Sequence, residues 1–164
     1  MQAVTPGAVA TGAPDLVLPD FSGNHTTKLE PNGRLILPSP FKHAFSGQAR
    51  LRAQRDRYLM LWTDSAFKLI AKDIQAQARA TGAVRSLKLF KQSTATVQVD
   101  RQSRLVIPPA LREQVGLGDQ IVLAGAEETI EIWDAERYDD EVRPSLDEAD
   151  LYFDTFDGLS RDTE

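Results

Sequence analysis

Apolar and polar positions alternate over residues 25–30 and again over 94–100, with Thr and Val enriched, so both stretches read as half-buried strands. Pro31-Asn32-Gly33 follows the first as a tight turn, because Pro presets φ and Asn-Gly accepts a positive φ. Short apolar runs at 35–37 and 105–107 read as strands. Pro38 and Pro108 end each ladder, and proline suits the opening of a helix, so short helices are expected over about 40–45 and 109–115. Gly116 or Gly118 is suited to close the second. Two hairpins come next. One runs from 50–55 through Asp56-Arg57 into 58–63, and the other from 121–124 through 125–128 into 129–133. Asp64 and Asp134 are suited to cap helices over 65–80 and 135–143. The connector 81–92 carries part of a helix at 86–90.

The order strand, strand, short helix, strand, strand, helix thus occurs twice. Arg34-Leu35-Ile36-Leu37-Pro38 returns seventy positions later as Arg104-Leu105-Val106-Ile107-Pro108. Each has a carboxylate four residues before it (Glu30, Asp100) and a base four residues after its proline (Lys42, Arg112). Leu29 matches Val99 and Phe41 matches Leu111. Leu59-Met60-Leu61-Trp62 matches Ile130-Glu131-Ile132-Trp133 at a separation of seventy-one, which Phe67 and Tyr138 keep, so one residue is gained between the proline and the tryptophan. Two copies are too few for a solenoid. Four short strands cannot cover both of their faces, whereas two sets can close a barrel that leaves no edge exposed. The expected fold is mainly β with short helices (α+β), two repeats closing one pseudo-symmetric small β-barrel. The expected division is a disordered leader at 1–20, a first repeat at 21–80, a linker at 81–93, a second repeat at 94–143 and an acidic, unstructured tail at 144–164.

With 164 residues and 41% hydrophobic content the chain can build one domain or two halves sharing a core. A single repeat would be marginal alone. The absence of cysteine excludes disulfides and thiolate metal sites. No apolar run approaches the roughly 18 residues that span a bilayer. Residues 1–20 lack a basic n-region and an apolar core, so no signal peptide is expected there. His25 and His43 stand without partner spacing, so no metal is expected. Neither a nucleophile–base order nor a Gly-rich phosphate loop is present, which argues against an enzyme or a bound cofactor. Trp62 and Trp133 hold equivalent strand positions and read as core or subunit interface.

Charge changes the picture most. The net charge of −5 hides a segregation: +9 over 28–101, −6 over 102–143 and −6 over 144–164. Polyanion binding follows the local field rather than the total, so the basic half keeps nucleic acid open as a partner. The alternative is that the basic half complements the acidic half within or between chains.

The second copy carries a family resemblance most clearly. Val99-Asp100-Arg101-Gln102-Ser103-Arg104-Leu105-Val106-Ile107-Pro108-Pro109-Ala110-Leu111-Arg112 is similar to a D-x-x-G-R-hydrophobic-P-x-x-L-R segment. Gly116-Leu117, Ile121-Val122-Leu123-Ala124-Gly125 and Ile130-Glu131-Ile132-Trp133-Asp134 follow in the same order. Phe21-Ser22-Gly23, His25 to Leu29 and Gly33-Arg34 look like the matching N-terminal start. Over about 21–143 the chain resembles the MraZ family, whose members carry two SpoVT/AbrB-type swapped-hairpin domains. Two departures stand out: Glu30 replaces the aspartate of the first D-x-x-x-R box, and Ser103 replaces the glycine before Arg104.

The resemblance implies a cytoplasmic, nucleoid-associated transcriptional regulator that binds double-stranded DNA. It also implies a ring-like homo-oligomer acting on repeated short boxes in the promoter of the division and cell-wall cluster. The candidate DNA-binding residues are Lys28, Asn32, Arg34, Lys42, Arg101 and Arg104. A guanidinium suits phosphates or guanine edges. The competing reading pairs Arg34 with Glu30 and Arg104 with Asp100. The basic surroundings favour DNA for Arg34, and the acidic surroundings favour the ion pair for Arg104. Arg50, Arg52, Arg55, Arg57, Lys88 and Lys91 read as phosphate contacts or as a solvated face. The acidic tail reads as a solubilising segment, a docking segment for a protein partner or a DNA mimic folding back on the basic half. A second function class follows from that tail, an antitoxin-like module that neutralises a protein partner.

Overall fold

A computed structural model describes residues 18–161, and the expected leader lies outside them except for Leu18 to Asp20. Eight strands form: β1 (Asn24–Lys28), β2 (Arg34–Ile36), β3 (Gly47–Gln54), β4 (Tyr58–Thr63), β5 (Thr94–Val99), β6 (Arg104–Val106), β7 (Gln120–Ala126) and β8 (Thr129–Asp134). The helices are α1 (Ser39–Lys42), α2 (Asp64–Thr81), α3 (Val84–Gln92), α4 (Pro109–Val115), α5 (Ala135–Glu141) and α6 (Leu146–Arg161), with a 3-10 turn at Arg143–Ser145 before α6. The chain is mainly sheet with several short helices.

The strands do not close a barrel. Six form one antiparallel sheet in the order β1-β7-β8-β4-β3-β5, and β2 pairs only with β6 in a separate ribbon. The reason is local. Each ribbon strand has three residues, bounded by a tight turn before it and by Pro38 or Pro108 just beyond it, and proline cannot extend a ladder. The ribbon therefore crosses the open side of the sheet without joining its edge strands β1 and β5.

Pairing registers carry the duplication into space. In the ribbon Leu35 faces Leu105, with Arg34 opposite Val106 and Ile36 opposite Arg104. Exchanging the two copies leaves this set unchanged, so a pseudo-twofold axis passes between the two leucines. The same holds for β4 and β8 about Met60 and Glu131. The first strand of each copy pairs with the other copy, β1 with β7 and β5 with β3. Asn24 faces Ala124 and Thr94 faces Arg52, so β3 and β7 correspond at a separation of seventy-two rather than seventy-one. Copy two thus gains two residues before β7 and loses one at the hairpin tip, where Glu127-Glu128 replaces Arg55-Asp56-Arg57.

One core lies between the inner face of the sheet, the ribbon and the short helices. Leu35, Leu37, Phe41, Leu51, Leu59, Leu61 and their counterparts Leu105, Ile107, Leu123, Ile130 and Ile132 are buried there. Period two in β3 and β4 sends Arg50, Arg52, Met60 and Trp62 to the outer face. Helices α2 and α3 cover that face through Trp62, Phe67 and Phe90. Helix α5 covers the equivalent face of copy two through Trp133, Val122 and Tyr138. Both tryptophans are at most 3% exposed. Asp64 does not cap α2. Thr63 does, accepting 3.1 Å from the Ala66 amide, while Asp64 in the first turn binds Arg50 and Lys68. Asp134 caps α5 as expected. The tail expected without structure forms α6, whose Leu151, Tyr152 and Phe153 are exposed.

Candidate nucleic-acid interface

Each ribbon strand is launched by the same turn. In copy one the Gly33 amide donates to the Glu30 carbonyl (2.8 Å) and Glu30 N–H to the Arg34 carbonyl (3.1 Å). In copy two Ser103 N–H donates to the Asp100 carbonyl (3.0 Å) and Asp100 N–H to the Arg104 carbonyl (2.9 Å). The turns are equivalent although their sequences differ, because Gly33 (φ 85°) and Ser103 (φ 61°) share the left-handed region. The Arg34 amide is held by Asn32 Oδ1 at 3.0 Å. In copy two Asp100 does this work, its Oδ1 accepting from the amides of Gln102 (2.8 Å) and Arg104 (2.9 Å). The Arg104 backbone amide foremost, with the Arg104 side chain and the Gln102 amide, holds the Asp100 carboxyl below the usual carboxylate range.

The glycine is needed only in copy one. A Cβ on Gly33 would lie 2.7 Å from Arg112 Nε and 2.8 Å from the Ile107 carbonyl. Arg112 reaches across from α4, donating to the carbonyls of Ile107 (3.1 Å) and Pro31 (3.3 Å), and so ties the copy-one turn to copy two. The pseudo-symmetric counterparts are Ser103 in the copy-two turn and Lys42 on α1 of copy one. This clamp on the site was not among the sequence-derived candidates. The reciprocal change from Gly33 with Arg112 to Ser103 with Lys42 was its visible trace.

Leu35 and Leu105 point into the core, so their neighbours share the outer face of the ribbon: Arg34, Ile36, Arg104 and Val106. Ile36 and Val106 are 53% and 51% exposed, unusual for aliphatic side chains on strands. They too went unnamed as candidates, although strand alternation about Leu35 and Leu105 puts them outward. Arg34 and Arg104 sit diagonally on this face. Arg34 stands 3.8 Å from Glu30 in a loose pair, and Arg104 donates to Asp100 at 2.8 Å, so both competing ion pairs form and the second is the tighter. A depression of about 220 Å³ beside them is lined by Arg34, Gln98, Asp100, Arg104, Leu105 and Val106. Because the strands are antiparallel, the turns carrying Asn32 and Arg101 flank the ribbon at opposite ends. Lys28 is exposed at the end of β1. Lys42 is exposed at the end of α1, outside the paired strands.

Three other bases of the first half are engaged elsewhere. Arg50 binds Asp64 at 3.0 Å and lies over Phe67, and Arg52 binds Ser93 at 3.0 Å and lies over Phe90. Arg57 binds Glu141 at 3.0 Å, lies over Trp133, and so joins the first hairpin to α5. Arg137 donates to the Asp56 carbonyl at the same junction. Part of the charge segregation is therefore internal complementarity.

A family model described as "MraZ protein, putative antitoxin-like" matches residues 89–151. A protein named "Transcriptional regulator MraZ" from Salinispora tropica is 33% identical over 141 residues, covering 85% of this chain and 99% of that protein. One of the same name from Parafrankia sp. is 33% identical over 120 residues, covering 73% of this chain and 84% of its own. A third, from Thermomicrobium roseum, is 31% identical over 119 residues, covering 72% and 84%. With relatives this similar along nearly their whole length, the chain belongs to the MraZ family.

Proposed function

We propose that this chain is a sequence-specific, DNA-binding transcriptional regulator that acts as a homo-oligomer on repeated boxes in the division and cell-wall cluster promoter. The paired ribbon carries the reading. Its outer face presents two arginines and two exposed aliphatic side chains about a pseudo-twofold axis. The major groove of B-DNA admits a two-stranded ribbon, a guanidinium fits guanine O6 and N7, and aliphatic groups fit the thymine methyl. Arg34 and Arg104 meet base edges or phosphates, with Glu30 and Asp100 aiming them. Asn32 and Arg101 at the turn ends meet the backbone on either side, and Lys28 and Lys42 add phosphate contacts farther out. The names of the relatives support regulation of transcription.

In this reading the repeats are 21–80 and 94–143, joined by 81–93, and each is a SpoVT/AbrB-like swapped-hairpin unit. The exchange of β1 and β5 between copies favours that description. Among the described residues no helix is long and apolar enough to cross a membrane. The place of action is the cytoplasm, at the nucleoid. The protein is not an enzyme and needs no cofactor.

A second reading, an antitoxin-like module using the acidic tail on a protein partner, is favoured by the exposed Leu151, Tyr152 and Phe153. Replacing Arg34 separates the two. Arg34→Ala is expected to weaken binding to DNA from upstream of its own gene about ten-fold or more, through a contact of about 1–3 kcal/mol, with the fold intact. A folded variant with unchanged affinity removes Arg34 from the site.

A further inference from the structure

We propose that the acidic helix α6 of one copy docks into a basic-rimmed groove beside α2 of a second copy. The groove holds about 710 Å³. Its floor is apolar, with Phe67, Leu69 and Ala71, and its rim carries Arg50, Lys68, Lys72 and Lys91 against one carboxylate, Asp64. Asp64 is already bound by Arg50 and Lys68, which leaves Lys72 and Lys91 exposed on the rim with no ion pair among the described residues. The ligand chemistry this selects is an anionic segment with large apolar side chains.

Helix α6 has that composition. Residues 146–155 contain Asp147, Glu148, Asp150 and Asp154 and no base. Leu151, Tyr152 and Phe153 are each more than 60% exposed, and large apolar groups clustered at the surface mark an interaction site. Charge and hydrophobicity therefore match on both sides.

The groove of the same chain is a poor target. The 3-10 turn between α5 and α6 leaves no slack: Val142 N–H donates to the Tyr138 carbonyl, Ser145 N–H to the Val142 carbonyl, and Arg143 pairs with Asp139 at 2.8 Å. Pro144 stiffens the turn further. Leu151, Tyr152 and Phe153 of the helix remain exposed with this turn intact, so a second copy can meet them without breaking it. A helix of one copy in the groove of the next is a heterologous contact, which closes a ring or extends a filament. The inference deepens the oligomer part of the proposed function and does not depend on DNA binding.

Sedimentation velocity of the full chain over a concentration series tests it. Four proteins are compared: the unaltered chain, Tyr152→Ala/Phe153→Ala, Lys68→Glu/Lys72→Glu, and the latter combined with Asp150→Lys/Asp154→Lys. All these sites are on the surface, and circular dichroism verifies the fold. Each one-sided variant is expected to weaken self-association by about ten-fold or more, as loss of an interface anchor does. The combined variant is expected to recover most of it, and added salt to weaken the unaltered chain. Unchanged oligomers in the Tyr152/Phe153 variant overturn this contact while leaving oligomerisation itself standing. A monomeric unaltered chain overturns both. Unchanged oligomers with tighter DNA binding in the tail variant assign α6 to the ribbon face instead, and also overturn the proposal.

Discussion

Gly33→Ala and Ser103→Gly make matched changes at equivalent positions of the two turns, and their predicted effects are unequal. Gly33 has φ 85°, a region that costs a residue with a Cβ about 1–2 kcal/mol. The new Cβ would also lie 2.8 Å from the Ile107 carbonyl and 2.7 Å from Arg112 Nε. The guanidinium can move, but the backbone oxygen is held by the core around buried Ile107, so overpacking adds about 1–3 kcal/mol. Gly33→Ala should therefore cost about 2–5 kcal/mol in urea unfolding followed by circular dichroism. Ser103→Gly relieves about 1–2 kcal/mol of left-handed strain at φ 61° but adds about 0.5–1 kcal/mol of unfolded-chain entropy, so stability should stay level or rise by at most about 1.5 kcal/mol. A cost below about 0.5 kcal/mol for Gly33→Ala would show that the clamp does not constrain the turn. The site is also affected, since the same turn presents Asn32 and aims Arg34.

Two further predictions concern local chemistry. Thr63→Ala should cost about 1 kcal/mol by orphaning the Ala66 amide. Asp64→Ala, which removes two part-exposed pairs, should cost less, and the reverse order of midpoints in urea would return the cap to Asp64. Because the folded-state pKa of Asp100 is depressed, the stability it contributes is present above the ordinary carboxylate range, near pH 4, and is lost as pH falls through its folded value. The difference in stability between the wild type and Asp100→Asn should be constant from pH 7 to about 5 and shrink in acid, and a difference that grows in acid refutes the assignment.

The duplication was legible because it is written in chemistry: a carboxylate, a turn, an arginine, a short apolar strand and a proline recur in order. Turn, strand and helix positions followed from it, since each depends on neighbours in sequence. What was not legible depends on distant partners. The separation of seventy-one between Trp62 and Trp133 conceals a gain of two and a loss of one, which only the pairing of Ala124 with Asn24 and Arg52 with Thr94 separates. Closure of the barrel failed because two three-residue strands prefer each other to the sheet edges. Thr63 and Asp64 are both good caps, and the bridge from Asp64 to Arg50 on β3 decides between them. Likewise Arg50, Arg52 and Arg57 read as free bases until Asp64, Ser93 and Glu141 are brought beside them. Arg34 and Arg104 were legible as candidates, while Ile36 and Val106 needed the ribbon register to join them.

Fluorescence anisotropy with purified protein separates a sequence-specific DNA-binding regulator from a merely charged surface. The probes are duplex DNA from upstream of its own gene and a scrambled duplex of equal length, titrated across a salt series. A sequence-specific regulator binds the upstream duplex more tightly, with log affinity falling against log salt by a slope of several phosphates. Equal binding to both duplexes that vanishes at moderate salt, or no binding at low salt, would contradict it.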